Sequence, residues 1–370
     1  MNNKATDDLI SIAGRFTTAG AVTAVQPFGS GNINDTFLAT LASGVERQFI
    51  LQRLNTRVFR RPELVMQNMR TATEHIHARL QNVPMDEGRR WEVPRVLLSR
   101  DGQDHWIDAH GSFWRATSFI EAAETLDAIQ SVTHAEEVGF ALGMFHRLVS
   151  DLPPETLSDT LEGFHITPRY LSHFDDVLET NRSGRSRETG YCIQFINRRR
   201  TWAHVLEEAK EQGKLNIRTM HGDPKINNVM IDTATQRAVG MIDLDTVKPG
   251  LVHYDLGDCL RSACNPLGEE VEQWETVRFE PDLCRAILHG YLSQARSFLS
   301  ADDYEYMFEA VRLISFELGL RFFTDYLEGD VYFKAKHEGH NLLRALVQFR
   351  LAASIESQET AIRAIIKEFR

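Results

Sequence analysis

The stretch HGDPKINNVMIDTATQRAVGMIDLDT, residues 221–246, decides the fold prediction. Within it two short apolar runs, VMI and AVGMI, flank a polar turn at residues 233–236, a pattern typical of a β-hairpin. An antiparallel hairpin brings its two ends together, so we expect Asn228 and Asp243 to lie side by side. Their oxygen atoms are the hard ligands that Mg²⁺ prefers, and nucleotide phosphates and water commonly fill its other positions. The hairpin therefore predicts a magnesium site.

Asp223 lies in a loop just before this hairpin, in the spacing H-x-D-x-x-x-x-N that runs from His221 to Asn228. Protein kinases and small-molecule kinases use this spacing, and their loop Asp accepts or orients the proton of the attacking hydroxyl. Lys225 can offset charge on the transferred phosphoryl group, whereas His221 is expected to orient the loop. An acidic turn and a hairpin would explain each residue alone, but the ordered set favours phosphoryl transfer.

Two regimes of sequence pattern divide the chain. Residues 22–119 hold short strand-like segments bounded by turn-forming residues, with one helix predicted to begin at Pro62. After residue 133 the periodicity is mainly helical. We predict an α+β, bilobal fold: a small N-terminal antiparallel-sheet lobe over residues 1–120, and a larger, mainly helical lobe over residues 121–370. A ligand cleft is expected between them.

A glycine-containing turn, PFGSGNINDTF at residues 27–37, lies between two strand-like runs. Gly29 and Gly31 would let backbone amides approach phosphates, and Asn34 or Thr36 could add side-chain donors. A simple hairpin also explains two glycines in a turn. The position of the turn in a strand-rich lobe, ahead of the catalytic loop, favours nucleotide binding.

The predicted third strand, RQFILQRL at residues 47–54, lacks a lysine at the position where kinases hold the α- and β-phosphates. Gln52 occupies that position and Arg53 follows it, so the usual pair of strand lysine and helix glutamate is not expected. In FWRATSFIE, Ser118 to Ile120 are expected to offer backbone groups to an adenine edge. Three residues on the helix after Pro62 are candidate partners, although a solvated helix face explains them equally well: Glu63, Arg70 and Glu74.

The composition excludes several other classes of protein. Among 370 residues, 41 Lys plus Arg stand against 52 Asp plus Glu, a net charge of -11. This sign disfavours nucleic acid or an anionic membrane as a partner. No apolar run approaches the roughly 18 to 20 residues of a bilayer span, so we expect a cytoplasmic protein. The four cysteines show no metal-binding spacing and are expected to be reduced thiols. The oligomeric state stays open.

The segments HGDPKINN, IDLDT and HYDLGD, with the hairpin, together resemble the superfamily of aminoglycoside phosphotransferases and choline kinases. Within it the chain is most similar to the N-acetylhexosamine 1-kinase branch, from FGSGNINDTFL through to GLRFFTDYLEGDVYF. The resemblance implies a bilobal protein kinase-like fold, ATP and Mg²⁺ as cofactors, Asp223 as catalytic base, and Asn228 and Asp243 as metal ligands. The glutamine in place of the strand lysine is shared with this branch.

The resemblance also implies an acceptor site near the end of a long C-terminal helix, formed by Arg321, Asp330 and Tyr332. A guanidinium and a phenol can hydrogen-bond sugar hydroxyls or an acetamido carbonyl. Ordinary helix capping and surface charge explain these residues without the resemblance. The implied reaction phosphorylates the anomeric hydroxyl of N-acetylglucosamine or N-acetylgalactosamine to give the sugar 1-phosphate.

Two alternatives to a sugar acceptor remain. The first is a kinase for an aminoglycoside, choline or homoserine, which would need a cluster of acidic side chains in the second lobe to hold a cationic acceptor. The second is a catalytically silent kinase-like binding module, against which the presence of Asp223, Asn228 and Asp243 argues. The expected partner is a small-molecule sugar.

Overall fold

The computed structural model describes residues 3–16, 20–29, 33–44, 47–82, 85, 88–180 and 186–370. The strands are β1 (Val22–Pro27), β2 (Asp35–Leu41), β3 (Gln48–Leu54), β4 (Val96–Leu97), β5 (Trp106–Ile107), β6 (Phe113–Ser118), β7 (Ala123–Glu124), β8 (Arg218–Met220), β9 (Val229–Asp232), β10 (Ala238–Met241) and β11 (Lys248–Gly250). The helices are α1 (Asn3–Ala13), α2 (Pro62–Leu80), α3 (Val132–Val149), α4 (Thr167–Thr180), α5 (Arg187–Arg199), α6 (Val205–Glu211), α7 (Val252–Ala263), α8 (Pro281–Ala295), α9 (Ala301–Glu305), α10 (Met307–Glu328), α11 (His340–Ser357) and α12 (Glu359–Glu368). Every helix within these ranges is too short or too polar to cross a bilayer.

The N-terminal lobe is built on an antiparallel sheet with the strand order β1-β2-β3-β6-β4, and β5 also pairs with β6. Side chains alternate between the two faces of a strand. Leu51 and Trp114 therefore pack on the face that also contacts α1. Gln52 and Arg115, which are cross-strand partners, lie on the opposite face towards α2. The face towards α2 also holds Leu54 and Phe113, which pack with Val65 and Met66, so the Gln52–Arg115 pair lies in largely apolar surroundings.

The C-terminal lobe is held together by a very close contact between α3 and α8. A Cβ added at Gly139 would lie 2.0 Å from the carbonyl oxygen of Ile287, and one added at Gly290 would lie 2.0 Å from that of Glu136. Because a larger residue would push the helices apart, glycine is required at both places. A continuous core joins this helix pair to α7 and the β9–β10 hairpin.

The predicted hairpin is formed by β9 and β10. Asn228 immediately precedes β9 and Asp243 follows shortly after β10. The backbone N–H of Ile242 donates to the carbonyl oxygen of Asn228 at 2.9 Å, which holds the two ends together. The bilobal α+β arrangement predicted from the sequence is confirmed.

Candidate active site

Asp255, on α7, anchors the first residues of the catalytic loop. Its carboxylate accepts the backbone N–H groups of His221 at 2.6 Å and Gly222 at 2.8 Å, and it lies 2.8 Å from Nε2 of His146. Burial by itself would raise the pKa of Asp255, but the His146 ring and these N–H groups lower the pKa below its usual value. The ionised carboxylate therefore fixes where the loop begins.

The ring of His221 orients the loop rather than facing the ligand. It is fully buried, its Nδ1 accepts the N–H of Asp223 at 3.3 Å, and its Nε2 donates to the carbonyl oxygen of Ile242 at 3.1 Å. Burial lowers the pKa of this imidazole, which favours the neutral tautomer. The ring thus links the loop to the end of β10, in agreement with the orienting role predicted for it.

Gly222 permits the close approach of the loop to the residues after the hairpin. Its φ is +89°, and a Cβ there would lie 2.7 Å from both the Cβ and the carbonyl oxygen of Thr246. Thr246 Oγ1 in turn donates to the carbonyl oxygen of His221 at 2.8 Å. Only glycine combines this left-handed backbone with so small a volume.

Asp223 is surrounded by the two residues that the sequence pattern places after it. Lys225 Nζ donates to Asp223 Oδ2 at 2.7 Å, and Asn228 Nδ2 lies 3.2 Å from the same oxygen and 2.7 Å from the Asp223 backbone carbonyl. Desolvation opposes the charge of Lys225, but the neighbouring carboxylates, Asp223 first, raise the pKa of its ammonium group. The Asp223 carboxylate is therefore anchored through Oδ2, and Oδ1 is left for an acceptor hydroxyl.

Asp243 lies beside this group in a left-handed conformation, with a φ of 63°. Its side chain is exposed to solvent, although neighbouring protein atoms partly enclose the carboxylate. That enclosure, together with the charges of Asp245 and Asp223, raises the pKa of Asp243 to about 7. A divalent cation would relieve this crowding of negative charge.

Asn228 and Asp243 fit a cation that is held mainly by ligands from outside the chain. Since the amide nitrogen of Asn228 is turned to Asp223, its Oδ1 is the atom left for coordination. In the described ranges no cluster of three or more His, Cys, Asp or Glu side chains is arranged to hold a metal. An amide oxygen and a carboxylate suit Mg²⁺ that keeps water and phosphate ligands.

The turn after β1 is the segment predicted to bind the nucleotide phosphates. Gly29 has a φ of +73°, as a tight turn requires, whereas Gly31 lies outside the described residues. The ring of Phe28 meets that of Phe119 edge to face, with ring centroids 5.8 Å apart. The turn therefore lies against the connection that follows β6.

Ser118 and Ile120, the two residues expected at the adenine edge, make different contacts within the protein. The Ser118 N–H donates to the carbonyl oxygen of Arg95 at 2.9 Å, and its hydroxyl accepts the Arg95 N–H at 3.0 Å. The amide of Ser118 thus has a partner in a neighbouring segment, and the contact of backbone groups of residues 118–120 with an adenine edge stays a prediction. The side chain of Ile120 packs with Met230 and Val239 of the hairpin, so the hairpin lies under this connection.

Three side chains predicted to contact the nucleotide instead bind other protein groups. Gln52 Nε2 donates to Thr36 Oγ1 at 3.0 Å. Asn34 Nδ2 donates to Asp245 Oδ2 at 2.6 Å, and Asn34 Oδ1 accepts the N–H of Asn55 at 3.0 Å. These contacts hold the three side chains in place, and their contact with a nucleotide stays a prediction.

Sequence reasoning missed Arg115 and Asp245. Arg115 forms an ion pair with Asp245 across the two lobes, and both side chains are almost fully buried. The candidates on α2 take no part: Glu63 is exposed, and Arg70 pairs with Glu74 at 3.2 Å. A charged residue inside the apolar strand FWRATSF was the available signal, because a buried charge requires a partner.

Arg321, on α10, lies in a cage of aromatic rings. Its guanidinium carbon lies 5.0 to 6.0 Å from the ring centroids of Phe164, Tyr170, Tyr332 and Phe333. Across the described ranges, no side chain or backbone group forms a hydrogen bond or ion pair with this guanidinium. Burial raises the pKa of Tyr170 to about 12, so its hydroxyl remains a donor. We call these five residues the Arg321 cage.

The Arg321 cage is tied to the catalytic loop through His165. His165 Nδ1 lies 2.9 Å from Oε1 of Glu317, one turn before Arg321, and His165 Nε2 lies 3.2 Å from the carbonyl oxygen of Gly222. Burial opposes the charge on His165, but Glu317 raises the pKa of the imidazole above its usual value. Acceptors therefore lie at both ring nitrogens, which suits a doubly protonated ring, and the ring links the cage to the loop residue before Asp223.

The two other residues predicted for the acceptor site lie just after α10. Tyr332 is 62% exposed, and its N–H donates to Asp325 Oδ1 at 2.6 Å. Asp330 has a φ of 61°, and its Oδ1 accepts from Asn341 Nδ2 at 2.9 Å. The ring of Tyr332 thus belongs to the Arg321 cage, whereas the carboxylate of Asp330 already has a partner within the protein.

Comparisons with known proteins agree with this geometry. A model of the phosphotransferase enzyme family (APH) matches residues 24–291. The microcompartment-associated aminopropanol kinase is 17% identical, with a TM-score of 0.63 over 96% of this chain and 98% of the other. The choline kinase from Cryptosporidium parvum is 14% identical, with a TM-score of 0.62 over 96% and 97%. Spectinomycin phosphotransferase, solved with ADP and spectinomycin, is 12% identical, with a TM-score of 0.55 over 96% and 98%. These likenesses show a shared fold.

Proposed function

The chain belongs to the phosphotransferase enzyme family, and we propose that it transfers the γ-phosphoryl group of ATP to the anomeric hydroxyl of an N-acetylhexosamine. The observation that carries the choice of acceptor is the Arg321 cage. A guanidinium donates hydrogen bonds and accepts none, so it suits hydroxyl and acetamido oxygens. The surrounding rings offer apolar surface to the carbon face of a sugar.

The charges near the Arg321 cage argue against a cationic acceptor. Several similar structures are named for choline, aminopropanol or spectinomycin, and each of these compounds is cationic at neutral pH. Here the nearby carboxylates already have partners, since Glu317 binds His165 and Thr167, and Asp258 pairs with Arg261 at 2.8 Å. Arg321 has no hydrogen-bond or ion-pair partner among the residues that the structure describes, and its charge would repel an ammonium group.

The proton transfer is assigned to Asp223. The anomeric hydroxyl is more acidic than an ordinary alcohol because the ring oxygen stabilises the developing negative charge. A carboxylate can therefore accept its proton late in a loose transition state, through Oδ1, while Lys225 holds Oδ2. Mg²⁺, when held by Asn228 and Asp243, would neutralise charge on the phosphate oxygens. Arg321 would fix the sugar so that its anomeric oxygen faces Asp223.

An acceptor panel tests this proposal. ADP release would be measured with ATP, Mg²⁺ and each of N-acetylglucosamine, N-acetylgalactosamine, glucose, galactose, choline, 1-amino-2-propanol and kanamycin, with the Asp223→Asn variant as the blank. We expect turnover with the N-acetylhexosamines to exceed that with every amine. Turnover confined to the cationic acceptors would overturn the proposal and leave the family membership untouched.

A further inference from the structure

Gln52, a neutral residue, occupies the position of the usual strand lysine. Arg115 brings a positive charge beside it from the neighbouring strand. Arg115 of β6 lies beside Gln52 of β3, and its Nε and Nη2 donate to Gln52 Oε1 at 2.9 and 2.8 Å. Its Nη1 forms the ion pair with Asp245. Arg115 is 1% exposed and Asp245 is 2% exposed, so this is a fully desolvated charge pair.

The carboxylate that pairs with Arg115 does not belong to helix α2. The α2 side chains next to Arg115 are thioethers: its Nη1 lies 3.6 Å from the sulfur of Met69 and 4.0 Å from that of Met66. In kinases the lysine of the third strand pairs with a glutamate of the following helix. Here both members of the pair have moved, the cation to β6 and the anion to the segment after the β9–β10 hairpin.

Asp245 is separated by one residue from Asp243, the proposed metal ligand. Asp243 has a left-handed backbone that a non-glycine residue keeps only when its surroundings hold it there. Two N-lobe side chains bind the carboxylate of Asp245, Arg115 and Asn34, and α2 adds a bond from Asn68 Nδ2 to the Val247 carbonyl oxygen at 2.9 Å. The segment that carries Asp243 is therefore anchored to the N-terminal lobe.

We propose that Arg115 is a positioning residue that acts through Asp245 to hold the Asp243 carboxylate towards the metal–nucleotide. Arg115 does not contact the phosphates, because it is buried, its Nε and Nη2 donate to Gln52, and its Nη1 pairs with Asp245 and lies near the sulfurs of Met66 and Met69. The inference rests on family membership and on the metal-ligand role proposed for Asp243, and it does not depend on which acceptor is used.

The decisive variant removes both charges at once, as Arg115→Met with Asp245→Asn. Removing one charge alone would leave its partner buried and unpaired, which is strongly destabilising. A matched control is Arg199→Met with Glu356→Gln, an ion pair 2.6 Å apart that joins α5 to α11. Thermal unfolding would establish that both double variants fold.

Two dissociation constants distinguish positioning from phosphate contact. The affinity for Mn²⁺–ATP would be followed by electron paramagnetic resonance of the Mn²⁺, and the affinity for ATP in EDTA by calorimetry. We expect the Mn²⁺–ATP dissociation constant of the Arg115/Asp245 variant to rise about tenfold or more. The value in EDTA should stay within about twofold of wild type, and the control variant should match wild type in both.

Two results would overturn the inference. An unchanged Mn²⁺–ATP affinity would make the ion pair merely structural, and an equal loss with and without metal would mean that Arg115 binds the phosphates itself.

If the double variant does not fold, Arg115→Lys decides by the same two measurements, because lysine keeps the charge but loses the fork that spans Gln52 and Asp245. A rise of roughly threefold or more for Mn²⁺–ATP alone supports the inference, and an unchanged value opposes it. None of these readouts uses an acceptor, so failure of the sugar proposal would be seen separately.

Discussion

The candidate site has a proposed metal side, around Asp223 and Asp243, and a proposed acceptor side, formed by the Arg321 cage. The two sides differ in whether their charged groups have partners within the chain. On the metal side, Asp223 pairs with Lys225 and Asp245 pairs with Arg115, so each of these carboxylates has a partner within the chain. On the acceptor side, Arg321 lies among aromatic rings without a hydrogen-bonding partner in the described ranges. A paired group is held in place before any ligand arrives, whereas an unpaired buried group gains most when a ligand arrives.

This difference separates the chemistry of the site from its specificity. The metal side holds the residues proposed for phosphoryl transfer, and it carries no information about the acceptor. In the described part of the chain, a hydrogen-bonded link runs from Glu317, one turn before Arg321, through His165 to the catalytic loop. Variants on the metal side should therefore change turnover or folding, and variants in the cage should change the affinity for the acceptor.

Asp223→Asn should have the largest effect on turnover. An amide cannot accept the proton of the acceptor hydroxyl, so we expect kcat to fall on the order of 10³-fold. ATP affinity, measured by calorimetry, should change little because the metal ligands remain. A variant with near wild-type kcat would show that another group accepts the proton.

Gly222→Ala should destabilise the protein through the start of the catalytic loop. The left-handed backbone adds about 1 to 2 kcal/mol, and the contact with Thr246 adds a further amount of about 1 to 3 kcal/mol. Chemical denaturation should show a loss of about 3 kcal/mol in the free energy of unfolding. Gly213→Ala is the matched control, since Gly213 has a φ of +72° but no atom within 4 Å of the added Cβ, and it should lose about 1 kcal/mol. Equal losses would mean that the Thr246 contact is unimportant.

Arg321→Met should weaken sugar binding selectively. The loss of a charged donor to a buried acceptor is worth about 1.5 to 3 kcal/mol, so the KM for the sugar should rise roughly 10- to 100-fold while the KM for ATP stays constant. Arg199→Met is the control, because Arg199 also lies over aromatic rings but pairs with Glu356 at 2.6 Å, far along the chain from the loop. Equal changes in the two KM values would contradict the separation of the two sides.

The link between the cage and the loop should depend on pH through His165. Because Glu317 raises the pKa of His165 in the folded protein, the stabilisation is complete below the unfolded pKa of about 6.5 and is lost as the pH rises through the folded pKa. Each pH unit over which only the folded imidazole stays protonated adds about 1.4 kcal/mol. His165→Gln should therefore destabilise the protein most below pH 6.5 and least at high pH. His173→Gln, at an exposed contact with Glu328, should show little of this dependence. A pH-independent effect of His165→Gln would mean that the ring is neutral.

Local pattern was sufficient to predict the β9–β10 hairpin and the meeting of its two ends. The hairpin and the spacing from Asp223 to Asn228 involve neighbouring residues, so chain geometry alone brings Asp243 beside Asn228. The helix beginning at Pro62 was predicted for the same reason, since proline suits the first helical turn. Such features depend on short-range rules, which a single sequence contains.

Long-range packing decided what the sequence did not predict. The Gln52, Arg115 and Asp245 contacts join two strands to the segment after a distant hairpin, and no local spacing predicts that meeting. Helix α1 was not predicted either, because its apolar face is short and becomes stable only by packing Leu9 and Ile12 on the sheet. The cage around Arg321 likewise draws its rings from separate parts of the chain.

Phosphorus NMR of the product formed from ATP and N-acetylglucosamine or N-acetylgalactosamine tests the central claim most directly, because it identifies both the acceptor and the atom that is phosphorylated. The phosphorus resonance should show coupling to the anomeric proton, as in a sugar 1-phosphate, and the Asp223→Asn protein should give no such signal in the same time. A 6-phosphate signal, or product formed only with choline, kanamycin or another amine, would contradict the assignment of the Arg321 cage as a site for the N-acetylhexosamine.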